Sequence, residues 1–277
     1  MGNNNLILSR EGIFPLSDGN TGLSLSGTLQ GEGKLVGTPS MFVRLQGCNL
    51  RCIWIGTNGK PCPCDTAHTS FGPGKPYTIS VDDAFSILKQ NMGAMRHVVV
   101  TGGEPLLQSA SVHSLIRLCA AEGWHTTIET NGTIYSPRII SDVSLLSISP
   151  KLSSSIPTSE KLLALGLPIS SQTTQHHQEI ISNLQPLTDM VSYATKQHTD
   201  VQLKFVVSSA HDEDEIKQRY GLVLNLIAPD DVVIMPMGYT RQEIAESNKA
   251  AISMCLRNNW RYTPRLHIDL FGNKEGV

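Results

Sequence analysis

Along this chain short apolar runs alternate with segments whose apolar positions recur at helical spacing, and most runs end in a polar cluster rich in Gly or Pro. Ser40 to Leu45 is a β-type run that ends at Gly47. His97 to Thr101 (HVVVT) has the continuous apolar character of a strand covered on both faces, and it runs into TGGEPLLQ. Pro105 suits the first turn of a helix extending to about Gly123. Thr126 to Thr130 ends in ETNG and Leu145 to Ser149 ends in SPK, while Val201 to Val207 carries Lys204 as its one charge. Val232 to Met235 leads into PMG. Between the runs, Ser80 caps a helix with Asp82 and Asp83 early and Val81, Ala84, Phe85 and Leu88 on one face. Asp212 to Leu226 and Arg241 to Asn258 are the later helices, the second with Glu243 and Glu246 near its start. Strand, loop and helix in alternation predict parallel strands with right-handed crossovers, whose polar ends gather on one rim. The expected fold is α/β: an incomplete or distorted (β/α) barrel of about six parallel strands, with its site at their carboxyl ends.

Two regions read less regularly. Residues 1–38 form an irregular or partly stranded lead-in, from which LQGEG (Leu29 to Gly33) stands out, because two glycines flank Glu32 and let backbone approach a ligand. Taken alone, LQGEG also reads as an ordinary tight turn. From Ser153 to His198 the composition turns to Ser, Thr, Gln and His; it predicts a helix at about Ser159 to Leu165, a short strand near Pro168 to Gln172 and a helix within Gln178 to Lys196. His176 and His177 are adjacent, so they point apart in any regular element and are expected at the surface. Arg265 to Leu270 (RLHIDL) reads as a last strand, and Phe71 to Lys75 (FGPGK) as a punctuated loop.

A length of 277 residues with 40% hydrophobic content suits a single α/β domain over 1–277. The net charge of -2 comes without long runs of like charge, which argues against a nucleic-acid footprint. No apolar stretch approaches the roughly 18 residues of a membrane span. The start MGNNNLILSREG lacks the charged-then-apolar order of a signal peptide, and Leu6 stands where a myristoylation signal needs Ser or Thr. A cytoplasmic protein is expected.

In a reducing compartment four clustered cysteines read as metal ligands rather than disulfides. Three residues separate Cys48 from Cys52 and eleven separate Cys52 from Cys64, with Cys62 inside the second gap. Spacing alone leaves structural zinc, with His68 as a substitute ligand, and an iron–sulfur cluster both open. Cys119 and Cys255 lie inside apolar helical patterns and are expected to pack in the core. A cluster held by three thiols keeps one iron open for a small molecule, and the glycine-backed carboxylate of TGGEP is what an amino group on that molecule needs. TGGEP alone is also an ordinary strand-to-helix turn, but a zinc ribbon gives no reason for it.

Together, MFVRLQGCNLRC, CDTAHT, TGGEPLLQ, ETNG, SPK, LQGEG and RLHIDLFGNKEGV resemble the 7-carboxy-7-deazaguanine synthases, which are radical S-adenosylmethionine enzymes. The resemblance is close from Leu29 to Lys151 and returns at the Lys204 strand and the tail. It implies a 4Fe–4S cluster whose unique iron is chelated by S-adenosylmethionine, with a 5'-deoxyadenosyl radical taking a hydrogen from 6-carboxy-5,6,7,8-tetrahydropterin. The ring then contracts with loss of ammonia, as a step of 7-deazapurine (queuosine or related) biosynthesis. By position, Cys48, Cys52 and Cys64 match the cluster ligands, and Thr66 the Mg²⁺ ligand. Gly102, Gly103, Glu104, Asn131, Ser149 and Lys151 match cofactor contacts; Gln30, Glu32, Arg44 and Thr101 match substrate contacts. The resemblance also implies a homodimer and an electron donor such as flavodoxin or ferredoxin.

The chain departs from the family's usual C-x3-C-x2-C in its eleven-residue second gap, IWIGTNGKPCP. Cys64 is preferred over Cys62 because it precedes Asp65-Thr66, as the last ligand does in the family, and Gly56 and Gly59 would let the insert loop back. Within enzymes the alternative is a glycyl-radical activating enzyme, against which LQGEG and CDT argue. From another class it is a zinc-stabilised binding module.

Overall fold

Among the described residues, 4–17, 19–72 and 74–277, the computed structural model holds nine α-helices and twelve strands. Residues Met1 to Asn3 of the start, Asp18 of the lead-in and Pro73 of the FGPGK loop lie outside the described residues. The strands are β1 (Asn5–Phe14), β2 (Thr28–Leu29), β3 (Pro39–Leu45), β4 (Ile53–Ile55), β5 (Pro61–Pro63), β6 (Tyr77–Ser80), β7 (His97–Gly102), β8 (His125–Thr130), β9 (Leu145–Ile148), β10 (Asp200–Val207), β11 (Val232–Pro236) and β12 (Arg261–Tyr262). The helices are α1 (Val81–Asn91), α2 (Ser109–Ala121), α3 (Pro137–Asp142), α4 (Ser159–Ala164), α5 (Ser171–Ser182), α6 (Gln185–Gln197), α7 (His211–Leu224), α8 (Arg241–Asn258) and α9 (Leu266–Phe271).

One sheet runs in the order β12-β11-β10-β9-β8-β7-β3-β1-β6, with β2 attached to β3. Every neighbouring pair from β3 to β12 is parallel, giving six full strands and the two-residue β12. On these strands alternate residues face opposite sides. Met41, Val43 and Leu45 of β3, Val98 and Val100 of β7, and Leu203, Phe205 and Val207 of β10 pack under the helices in one core. Cys119 and Cys255 belong to that core, as expected of free cysteines in helical patterns. The intervening residues Phe42, Arg44, Thr101, Lys204 and Val206 face a single cavity. Strands β1 to β11 occupy seven places in the sheet, about 29 Å if flat at the usual ~4.8 Å spacing. Both ends line the same cavity, so the sheet curls into a partial barrel.

Sequence and structure part company at three places beyond the lead-in. There the expected partial strand is β1, ten residues inside the sheet that pair antiparallel with both β3 and β6. Its alternation is broken by the register shift between Leu8 and Ile13, which hides the strand period. The strand expected at Pro168 to Gln172 does not form: the Ser170 side chain accepts a hydrogen bond from Thr173 N and starts α5 instead. The single helix expected within Gln178 to Lys196 is two, because α5 ends at Asn183 and Pro186 occupies the first turn of α6. Arg265 to Leu270 is not a strand: Leu266 to Phe271 is helical, and the last strand lies upstream at Arg261–Tyr262. There Leu266 N donates to Gly31 O at 3.0 Å, so the segment docks on the LQGEG loop rather than on a sheet edge.

Candidate active site

The cavity opens at the carboxyl ends of the parallel strands and is lined by Cys48, Cys52 and Cys64, but not by Cys62. The local fold explains this. β4 and β5 form an antiparallel hairpin pairing Ile53 with Pro63 and Trp54 with Cys62. One step further, Cys64 N donates to Cys52 O at 3.1 Å, so the ladder brings Cys64 opposite Cys52. The eleven-residue gap is thus a hairpin that returns the chain to its starting point, and its tip closes with Gly56 N donating to Lys60 O at 2.8 Å. Cys62 sits two residues back along the strand, about 7 Å away by strand rise, and faces Tyr239 and Glu243. The other three thiols pack beside Leu50, Trp54, Ile181 and Met237. Burial pushes the thiols of Cys48 and Cys52 up, and that of Cys64 to about 12. Three thiolates there need a cation, and sulfur donors suit a soft metal; the neighbouring Asp65 carboxylate, 3.4 Å from Cys64 Sγ, is claimed by Arg265.

TGGEP works through its backbone. A Cβ on Gly102, whose φ is +139°, would stand 2.3 Å from Leu45 O, and one on Gly103 would stand 2.0 Å from Gly47 O. The glycines let the end of β7 lie against the turn before Cys48, held by Gly103 N to Leu45 O at 3.1 Å and Glu104 N to Gly47 O at 2.8 Å. Both line the cavity. The Glu104 carboxylate, expected to meet an amino group there, is not among the lining side chains. Fully buried, it accepts hydrogen bonds from Leu106 N at 3.0 Å, Thr130 Oγ1 at 2.7 Å and Asn131 N at 2.7 Å. Burial nonetheless outweighs those bonds and pushes its pKa above the ordinary value. Glu104 is a clasp between the TGGEP and ETNG loops. Asn131 continues the link to the cysteine turn, donating to Asn49 Oδ1 at 2.9 Å. Lys151 Nζ donates to Ser149 Oγ at 2.9 Å on the same wall.

The opposite wall is ionic. Gln30, Glu32, Arg44 and Thr101 all face the cavity. Glu32 pairs with Lys204 at 2.5 Å and with Arg265 at 3.4 Å. Burial pushes the Glu32 carboxyl up, but the two cations prevail and hold it below the usual carboxylate range. Arg265 also pairs with Asp65 at 2.5 Å and donates to Gly238 O at 2.7 Å, tying the return of the cysteine hairpin to the far strands. Glu129 bridges two of the expected residues, accepting from Gln30 Nε2 at 3.1 Å and Thr101 Oγ1 at 2.8 Å. Arg44 differs: its guanidinium lies 4.9 Å over the Phe14 ring, and its buried Nε has no partner among the described residues. Among the described residues Thr66 Oγ1 has two polar contacts, 3.4 Å to Cys64 Sγ and a long 3.4 Å to Gly102 O.

The end of the tail motif, Asn273 to Val277, also lines the cavity, held by an ion pair of Glu275 with Arg10 and a 4.0 Å approach of Glu275 to His68 Nδ1. His177, expected at the surface, is buried behind the cysteine turn, where Nδ1 accepts from Arg51 N at 3.1 Å. Its helix turns it inward while His176 stays exposed. Only the apolar Ile180 and Ile181 that follow it hint at which face of α5 is covered.

A model of the radical SAM superfamily matches residues 42–147. The chain is 40% identical over 250 residues to the 7-carboxy-7-deazaguanine synthase of Halobacterium salinarum, covering 89% of this chain and 88% of the relative. It is 35% identical over 250 residues to that of Rhodopirellula baltica, covering 90% and 85%. The crystal structure of QueE from Escherichia coli, at 22% identity and a TM-score of 0.57, covers 95% of each chain and shares the fold.

Proposed function

The chain belongs to the 7-carboxy-7-deazaguanine synthases of the radical SAM superfamily, and from that premise we propose the working parts of its site and the substrate they take. Membership implies a 4Fe–4S cluster and S-adenosylmethionine. The donor set fits: Cys48, Cys52 and Cys64 face one cavity in a buried place that favours thiolates only beside a cation. S-adenosylmethionine bound at such a cluster supplies a carbon radical that takes a hydrogen atom from the substrate.

The protein's part is placement and charge. The backbone of Gly102 and Gly103, together with Asn131, Ser149 and Lys151, holds the cofactor; Glu104 shapes that wall from beneath. Arg44 pairs the carboxylate of 6-carboxy-5,6,7,8-tetrahydropterin as a planar fork. Gln30, Glu32 and Thr101 hold the polar edge of the pterin, which contracts to 7-carboxy-7-deazaguanine with loss of ammonia. Thr66 offers its weakly held hydroxyl to Mg²⁺, a hard cation that accepts such an oxygen alongside substrate oxygens and water. The reductant is a flavodoxin- or ferredoxin-type donor, and the enzyme works as a cytoplasmic homodimer; no described helix is long and apolar enough to cross a membrane.

The observation that carries this reading is Arg44, whose buried Nε has no partner among the described residues and which opens into the same cavity as three thiols. The test is an anaerobic assay with reductant, S-adenosylmethionine, Mg²⁺ and the carboxytetrahydropterin, read by mass spectrometry. Carboxydeazaguanine is expected; a fully loaded cluster that yields none refutes the substrate.

A further inference from the structure

Two helices of the Ser153 to His198 region reach the cysteine turn from behind, and neither contributes to the cavity lining. From α5, His177 Nδ1 accepts the N–H of Arg51, the residue directly before Cys52, at 3.1 Å. The ring proton therefore sits on Nε2 and donates to Ser155 Oγ at 3.3 Å, whose own hydroxyl donates to Leu152 O at 2.7 Å. A neutral imidazole with one defined tautomer thus fixes the backbone of the turn. Arg51 finishes it from the front, with Nη1 donating to Cys48 O at 2.6 Å and Leu50 O at 3.0 Å.

From α4, Lys161 Nζ donates to Ile53 O at 2.8 Å, Ser154 O at 2.7 Å and Ile156 O at 2.7 Å. All three ammonium protons are used on carbonyls, and the first belongs to the residue directly after Cys52. Among the described residues Lys161 forms no ion pair; burial lowers its pKa to about 8, against which only Cys52 favours the charge, so at neutral pH it remains an ammonium. A half-buried cation with no carboxylate beside it has a field that reaches whatever anion the cysteines hold. A cluster becomes more negative when it takes an electron, so a nearby positive charge favours its reduced state.

We propose that His177 and Lys161 are positioning residues for the cluster: His177 fixes the Cys48–Cys52 turn so that iron is retained, and the Lys161 ammonium raises the cluster's reduction potential. This rests on the reading that Cys48, Cys52 and Cys64 hold a 4Fe–4S cluster. Neither residue touches substrate, and both act through the turn, as partners behind metal ligands do elsewhere.

The test uses the full chain reconstituted anaerobically with iron and sulfide. Iron per chain, bleaching under a chelator and an EPR-monitored redox titration are the readouts. K161M and K161Q are expected to keep the iron complement but to reduce at a more negative potential, with K161R returning to the wild-type value. Should K161M not load, K161Q, which keeps an N–H for the carbonyls, decides. An unchanged potential in the loaded neutral variant overturns the tuning role. H177Q, whose amide falls at the Nε2 side, is expected to bleach about tenfold faster, whereas H177N, whose Oδ1 falls near Nδ1, retains the wild-type rate. Equal rates in the two overturn the seating role. A wild-type chain that takes up no iron–sulfur cluster overturns this inference together with the reading beneath it.

Discussion

Replacing Glu104 with Gln separates a structural clasp from a cofactor ligand. The carboxylate serves three donors: Leu106 N and Thr130 Oγ1 on one oxygen, Asn131 N on the other. An amide has one acceptor oxygen. With that oxygen placed toward Leu106, the new NH₂ faces the Asn131 N–H, donor against donor; flipped, it faces the Leu106 N–H. Thr130 can adapt because its hydroxyl also accepts. Either way one buried backbone amide loses its partner, which costs about 1–3 kcal/mol. Glu104→Ala abandons all three donors and costs at least about 3 kcal/mol on the same scale. Urea unfolding of wild type and variant should show that loss, and hydrogen exchange at Leu106 and Asn131 should accelerate. S-adenosylmethionine affinity, measured by calorimetry on the cluster-loaded protein, should fall by less than about tenfold, which corresponds to about 1.4 kcal/mol. The clasp is refuted if E104Q keeps wild-type stability and amide protection while cofactor binding is abolished.

Cys62→Ala should retain the full iron complement and the visible absorbance of the reconstituted protein, whereas Cys64→Ala should lose both; iron analysis decides, and the reverse pattern assigns the third ligand to Cys62. Gly103→Ala places a Cβ 2.0 Å from Gly47 O, so the β7 end must move off the cysteine turn at a cost of about 1–3 kcal/mol; a lowered melting temperature and weaker cofactor binding are expected together. His97 is buried between Ser40 at 2.7 Å and Thr127 at 2.8 Å, and burial, with His125 adding, lowers its pKa from 6.5 to about 4. Between those values the unfolded chain takes up a proton that the folded one refuses. The neutral form's contribution is therefore complete above pH 6.5 and is lost as pH falls toward 4, about 3 kcal/mol over the window at about 1.4 kcal/mol per pH unit. His97→Gln has no such titration, so the stability gap between wild type and H97Q should narrow across that range; a constant gap refutes the burial argument.

The parallel strands and α8 were legible because their patterns are local. A doubly covered strand is a continuous apolar run, and α8 matches its expected limits, Arg241 and Asn258, since Thr240 caps it and apolar spacing persists to its end. Elements whose partners lie far away in sequence were not. β1 has a broken alternation and becomes a strand by lying between β3 and β6. RLHIDL alternates like a strand, yet its backbone is claimed by Gly31.

The same division runs through the site. Residue type and order singled out the thiols, the paired glycines and Glu32 between its glycines as candidate chemistry, and the resemblance to the family added Arg44. Which of them meet was decided by tertiary structure. The β4–β5 ladder sets Cys64 rather than Cys62 opposite Cys52, a choice that no count of intervening residues makes. Packing turned the Glu104 carboxylate inward onto three donors and left the buried Arg44 Nε without an acceptor among the described residues. It also brought His177 and Lys161, from the part of the chain with the weakest pattern, to the back of the cysteine turn. A sequence shows which groups are available, but hydrogen bonds between residues more than 100 positions apart exist only once the sheet has curled.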